Sequence, residues 1–181
     1  MDKLVINNSL IEIFIGDLSN TKYDAIVIPT NSRLLPSGEL RCKILRKAGT
    51  TQVQLECNKI INKIAQVAVG DSVMTTGGAC SQYLIHTNGP RSGGGNEGKK
   101  LMLATWNSLK LADAKGLTSI VFPPISKEMR GFTTEFCAKA MLLSIKKYLN
   151  ENNKNLRNVS ICVESQQDFE IFGNLLAEIA S

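Results

Sequence analysis

The segment Asp24-Ala-Ile-Val-Ile28, stopped by Pro29, narrows the fold more than any other part of the chain. After Asp24 it is an unbroken apolar run, mostly β-branched, with no further polar residue left for solvent. A strand of that kind hides both faces and so lies inside a sheet covered by helices on each side. Proline cannot donate to a neighbouring strand, so Pro29 marks its end.

The remaining pattern supplies the covering helices. Residues 3–6 and 10–15 read as two further strands, bounded by Asn, Ser and Gly. After a loop over 31–38, residues 39–48 and 51–65 read as helices. The second carries Val53, Cys57, Ile60, Ile61 and Ile64 along one stripe. Residues 67–75 read as a strand interrupted at Gly70-Asp71, with a turn at Gly77-Gly78 and another strand over 83–87. The glycine-rich stretch 89–98 reads as a surface loop. A helix over 97–115 closes at Gly116, and a strand over 119–122 ends at Pro123-Pro124. Thr133 or Thr134 caps a helix to 149, and a last strand (159–163) and helix (168–180) follow. Parallel strands need helical crossovers, so this alternation predicts an α/β fold. The expected form is a three-layer α/β/α sandwich with a mixed, mostly parallel central sheet. With no internal repeat and no composition break, residues 1–181 are expected to form a single domain.

Composition removes several classes of function. Hydrophobic residues make up 43% and charged residues 20%, too apolar and too evenly charged for a disordered chain. No apolar run reaches the roughly 18 residues of a membrane span, and the N-terminus shows no secretory signal. Five cysteines (42, 57, 80, 137 and 162) form no C-x-x-C pair. A disulfide framework or zinc knuckle is therefore not expected, and a reducing, cytoplasmic setting is. One histidine, His86, rules out a multi-histidine metal site, and no metal is implied. The net charge of +5 suits an anionic ligand or nucleic acid and equally suits an ordinary solvated surface.

In open α/β sheets ligands bind outside the carboxyl ends of the strands. That directs attention to Gly16-Asp17, Thr30-Asn31, His86 to Gly89, Pro123 to Phe132, and Glu164-Ser165. Asp17 can accept hydrogen bonds from an exocyclic amine, or serve as a turn or cap residue. Asn31 can orient a ribose hydroxyl or bond its own backbone. The loop Ser126 to Gly131 can offer N–H groups to a phosphate. His86, on an apolar strand, reads as a core histidine, and Trp106 as a core aromatic. Gly93-Gly94-Gly95 lacks the spacing of a phosphate-binding P-loop.

Taken together, these strand-end residues resemble the macrodomain family. The resemblance rests on Gly16-Asp17-Leu18, Asp24-Ala-Ile-Val-Ile-Pro-Thr-Asn31, Val69-Gly-Asp71, Leu84-Ile-His-Thr-Asn-Gly-Pro90, Ser119-Ile-Val-Phe-Pro123 and Arg130-Gly-Phe132, spread over nearly the whole chain. It is most similar to histone-variant macrodomains and their bacterial relatives. The resemblance implies recognition of ADP-ribose, free or on a macromolecule, with no cofactor required. Carried over by position, Asp17 would hold the adenine amine and Leu18 would offer its backbone beside it. Asn31 would contact the distal ribose, Gly38 would remain of the first phosphate-side loop, and Phe132 would line the cleft. Ser126, Lys127, Glu128, Met129, Arg130 and Gly131 would form the diphosphate loop.

Both loops depart from the family pattern. The first, usually glycine-rich, reads Leu35-Pro-Ser-Gly-Glu-Leu-Arg41. Arg41 stands where hydrolytic members place a catalytic aspartate, and a guanidinium with pKa above 12 is no general base. In the second, Glu128 replaces a glycine, setting a carboxylate near a diphosphate. Glu164 stands where an aromatic often stacks on adenine. The expected function is a binding module for ADP-ribose or a related nucleotide, of weak or altered affinity, with no catalytic residue. The alternatives are a hydrolase of ADP-ribosylated protein or nucleic acid, and a degenerate module that binds a protein or RNA partner.

Overall fold

A computed structural model describes residues 1–127 and 131–181. Seven strands form one sheet: β1 (Lys3–Ile6), β2 (Ser9–Ile15), β3 (Ala25–Pro29), β4 (Ser72–Thr76), β5 (Tyr83–Thr87), β6 (Ser119–Phe122) and β7 (Asn158–Val163). Their spatial order is β1-β2-β7-β6-β3-β5-β4. The five inner strands are parallel, and the two edge strands, β1 and β4, run antiparallel to their neighbours.

The apolar run in β3 behaves as its sequence requires. Ala25 and Val27 point into a core shared with α3 (Glu97–Ala114), α4 (Thr134–Glu151) and α5 (Gln166–Ala180). Ile26 and Ile28 point the other way, against α1 (Glu39–Ala48) and α2 (Thr50–Ile64). All four are fully buried. The period of two along a strand thus feeds two separate cores, giving the three-layer α/β/α sandwich expected from the sequence. Trp106 packs edge-on to Tyr148, with ring centroids 4.9 Å apart, at the margin of the larger core. No helix among the described residues is long and apolar enough to cross a membrane.

Three local readings need correction. Pro29 is the last residue of β3 rather than the residue beyond it, paired in register with Thr87. It needs no N–H there, because Thr30 makes the next bond to the Thr87 carbonyl at 2.9 Å. Residues 67–71 are not strand. Gly70 has φ +95° and turns the chain, so β4 begins only at Ser72. Finally, the last helix begins at Gln166 rather than at 168, because the Ser165 hydroxyl caps it by accepting from the Asp168 N–H at 3.1 Å; the 3₁₀ turn Leu18–Asn20 after β2 has Asp17 in the cap role its sequence allowed.

Candidate functional site

Because β2, β7, β6, β3 and β5 are parallel, their carboxyl ends share one edge of the sheet. Across that edge stand Asp17 after β2, Glu164 after β7, Pro123 after β6, Asn31 after β3 and Asn88 after β5. From β3 the chain crosses the α1–α2 face towards β4 and β5; from β6 it crosses the other face through α4 to β7. The connections therefore part between β3 and β6. Such a point opens a crevice, here flanked by the loop 30–38 and by residues 123–127 after β6.

At the β2 end, the Asp17 carboxylate is fully engaged. Its Oδ1 accepts from the Ser19 N–H at 3.0 Å and the Ser19 hydroxyl at 2.7 Å. Its Oδ2 accepts from Asn20 Nδ2 at 2.9 Å and from Lys43 Nζ at 2.8 Å. A carboxylate has about four acceptor positions, and all are used. Hydrogen bonds from Lys43 and Ser19 hold its pKa down at about 2. One helical turn on, Lys47 donates to the Ser19 carbonyl at 2.6 Å and to Asn20 Oδ1 at 2.7 Å. Two lysines of α1 thereby clamp the turn that Asp17 caps. Leu18 is buried among the α1–α2 core and exposes no side chain to the edge.

At the β3 end, Asn31 organises its own loop. Its Oδ1 accepts from the N–H groups of Arg33 at 3.1 Å and Leu35 at 3.0 Å. Its Nδ2 donates to the Leu35 carbonyl at 2.8 Å and Ser37 Oγ at 3.0 Å. This is an asparagine bonding its local backbone. Gly38, at φ +72°, leads the loop into α1 in a conformation that favours glycine.

Arg41 lies on the first turn of α1 but turns inward and is 2% exposed. Its Nη2 donates to the Leu34 carbonyl at 2.9 Å and its Nε to the Leu35 carbonyl at 3.2 Å. Its Nη1 lies 2.9 Å from His86 Nδ1, and His86 Nε2 lies 2.8 Å from Thr75 Oγ1. Arginine only donates, so Nδ1 accepts and the neutral ring carries its proton on Nε2. Burial, and then the Arg41 charge, hold the His86 pKa well below its usual value. Arg41 thus reaches the core rather than the crevice.

Along the β6 loop, Ser126 has φ +67°, and its buried Oγ finds no hydrogen-bond partner among the described residues. The residue packs on Gly89, where a Cβ would lie 2.2 Å from Ser126 Oγ and 2.7 Å from Ile125 Cγ2. Lys127 reaches away, to the Asp168 carboxylate in the first turn of α5. Burial would raise the Asp168 pKa, but bonds from Lys127, Thr134 and Ser165 outweigh it and hold the group below its ordinary value. Gly131, at φ +80°, comes close to Ser92, linking this loop to the β5–α3 loop. Phe132 stacks on Phe136 with centroids 4.7 Å apart. Glu128, Met129 and Arg130 lie outside the described residues.

The fold therefore gathers Asp17, Asn31, Gly38, Ser126, Gly131 and Phe132 along one edge, but it gives Lys127 and Arg41 partners elsewhere. The sequence reading missed Lys43 as the partner of Asp17 and Asn88-Gly89 as the seat of the Ser126 loop. Lysine spacing of four on α1 (43 and 47) was the available signal for the first. No cluster of three or more His, Cys, Asp or Glu among the described residues could hold a metal ion. Burial pushes the Cys162 thiol, under Gly16, up to about 11, with Glu164 and Asp17 adding to the shift, so it is no thiolate at neutral pH.

Comparison with known proteins follows from this geometry. A family model, the Macro domain, matches residues 27–141. A protein of Saccharolobus solfataricus is 35% identical over 93% of this chain and 94% of its own length. The O-acetyl-ADP-ribose deacetylase 1 of Pantoea vagans is 34% identical over 92% of this chain and 98% of its own. Among solved structures, a point variant of the Oceanobacillus iheyensis macrodomain with ADPR has a TM-score of 0.92 at 27% identity. It covers 98% of this chain and 97% of the other. The same macrodomain with ADP gives 0.91 at 28% identity, covering 98% and 95% of the two chains.

Proposed function

The chain belongs to the macro domain family, and we propose that it is a binding module for ADP-ribose or a related nucleotide, laid along the carboxyl edge of the sheet. The observation that carries this reading is the placement of Asp17 and Asn31 at the ends of β2 and β3, three strand spacings apart. At about 4.8 Å per spacing that is about 14 Å, a span suited to an extended nucleoside diphosphate with a second sugar. The β3–β6 crevice lies within that span. Adenine then sits at Asp17 and Leu18, and the diphosphate sits over the loop 126–131. The distal ribose sits between Asn31 and Gly38, with Phe132 on the wall. The Oceanobacillus macrodomain, solved with ADPR and with ADP, supports this ligand class.

Two features lower the affinity. Lys43 holds an Asp17 oxygen that the adenine amine must compete for. The Asn31 amide is already spent on the loop. Hydrolysis is disfavoured because Arg41 can neither accept a proton nor orient a water as a carboxylate does. The deacetylase relative keeps that activity as the alternative. Isothermal titration with ADP-ribose tests the reading: saturable binding weaker than micromolar, abolished in Asp17→Ala, is expected. A folded protein giving no heat at millimolar ligand would overturn it. Release of ADP-ribose from a modified substrate, lost in Asn31→Ala or in Glu39→Gln (Glu39 being the carboxylate two residues before Arg41), would favour the hydrolase instead.

A further inference from the structure

On the β5 side of Asn31, away from the β3–β6 crevice, lies a pocket of about 400 Å³. Its walls include Asn31, Val69, Asn88, Pro90, Arg91 and Lys100. The floor is fixed by backbone pairing. Gly70 N–H donates to the Asn88 carbonyl at 2.7 Å, Asn88 N–H to the Asp71 carbonyl at 3.0 Å, and Asn88 Nδ2 to the Val67 carbonyl at 2.8 Å.

The wall is cationic. Lys100 Nζ donates to the Gly94 carbonyl at 2.9 Å, which occupies one of its three protons. The carbonyl of exposed Arg91 accepts from the Gly94 N–H at 3.2 Å, but its guanidinium makes no hydrogen bond or ion pair among the described residues. Among the described residues no carboxylate lines the pocket. The two acids nearest in sequence are both engaged: Asp71 Oδ1 accepts from Asn107 Nδ2 at 3.4 Å, and Glu97 Oε1 accepts from the Gly93 N–H at 2.9 Å. An anion is therefore the complementary charge, and a guanidinium fork beside an ammonium suits phosphate oxygens. The volume falls in the range of small-molecule sites, larger than one anionic group needs. Pro90 and the half-exposed Val69 supply an apolar wall that a sugar or base covers and a lone carboxylate does not.

We propose that this pocket takes a nucleoside monophosphate group, free or as the phosphorylated end of a nucleic-acid strand. Its phosphate meets Arg91 and Lys100, and its sugar and base lie on Val69 and Pro90. The pocket shares only Asn31 with the cleft assigned to ADP-ribose, so it stands whether or not that cleft is filled.

Titration of the full chain with four probes tests this: a 5′-phosphorylated trinucleotide, the same trinucleotide unphosphorylated, a free 5′-mononucleotide, and a glutamate-rich peptide. The phosphorylated trinucleotide is expected to bind about tenfold tighter than its unphosphorylated form and to weaken with salt. Arg91→Ala, and separately Lys100→Gln, are expected to remove most of that difference while circular dichroism stays unchanged. A mononucleotide matching the trinucleotide assigns the ligand to the free form; a weaker one assigns it to the strand end. Equal binding with and without the phosphate, tighter binding of the peptide, or unaffected variants would overturn the proposal. So would a parallel fall in ADP-ribose affinity in both variants, because the pocket would then belong to the cleft.

Discussion

Arg41 Nη1 lies 2.9 Å from His86 Nδ1, and both side chains are shut away from solvent. Among the described residues no carboxylate partners this guanidinium. Its charge is met by the carbonyl dipoles of Leu34 and Leu35 and by an imidazole lone pair. A buried charge without its hydrogen bonds is costly, so the three acceptors and the cation depend on one another.

Arg41→Met should therefore destabilise the fold by about 1–3 kcal/mol, because it strands the buried His86 Nδ1 and leaves the Leu34 and Leu35 carbonyls only their second donors, Gln54 Nε2 and Asn31 Nδ2. Arg41→Lys should recover little, since one ammonium cannot match a planar fork. Urea unfolding midpoints measure both. A loss under about 0.5 kcal/mol for Met would show that water replaces the guanidinium freely.

Acid should weaken the protein earlier than its carboxylates alone require. Folded His86 takes up a proton only well below its usual range, because burial disfavours the charge and Arg41 repels it. The unfolded chain takes it near pH 6.5. Below that pH the unfolded state holds the extra proton, so stability falls with pH by up to about 1.4 kcal/mol per unit until the folded pKa is reached. Unfolding at pH 7.5, 6 and 5 should show this slope in the wild type and a flatter one in His86→Gln. Equal slopes would argue against it.

Removing the lysine that holds Asp17 should free an acceptor for the ligand amine. Exposed ion pairs contribute about 0–1 kcal/mol, so Lys43→Ala should tighten ADP-ribose by up to about fivefold with almost no change in stability. Titration calorimetry on the variant measures this. Weakened binding would mean that Lys43 itself contacts the ligand.

Ser126 and Gly89 should be coupled. Gly89→Ala drives a methyl into Ser126 Oγ and Ile125, at a cost of about 1–3 kcal/mol. Ser126→Gly removes a hydroxyl that lacks a partner among the described residues and relaxes a left-handed backbone. It should stabilise by about 1 kcal/mol. The double variant should recover much of the Gly89→Ala loss, a non-additivity readable in a thermal or urea cycle.

The strand and helix pattern was legible because it depends on local periodicity. The β3 run feeds two cores, and the helices over 39–48 and 97–115, and the one from Thr133 or Thr134 to 149, fall within a few residues of their readings. The 67–71 segment misled because Val67 and Val69 look like strand residues. Val67 is buried instead by a turn, its N–H donating to the Ser32 carbonyl at 2.8 Å. Placement of Asp17 and Asn31 on one edge was legible because each follows the carboxyl end of a predicted strand; what their side chains bond was not. An arginine on an amphipathic helix reads as solvated, and nothing local shows that Arg41 turns in to a histidine 45 residues away. Likewise, the pairing of Lys43 with Asp17 spans two elements whose distance only the assembled sheet defines.

The inward turn of Arg41 bears on how this protein can change over generations. Writing a carboxylate into position 41 would remove three donors and set an acid against two carbonyls and an imidazole lone pair. A single substitution to an acid at position 41 therefore meets the cost of those lost bonds first, and is tolerated best together with a change at position 86.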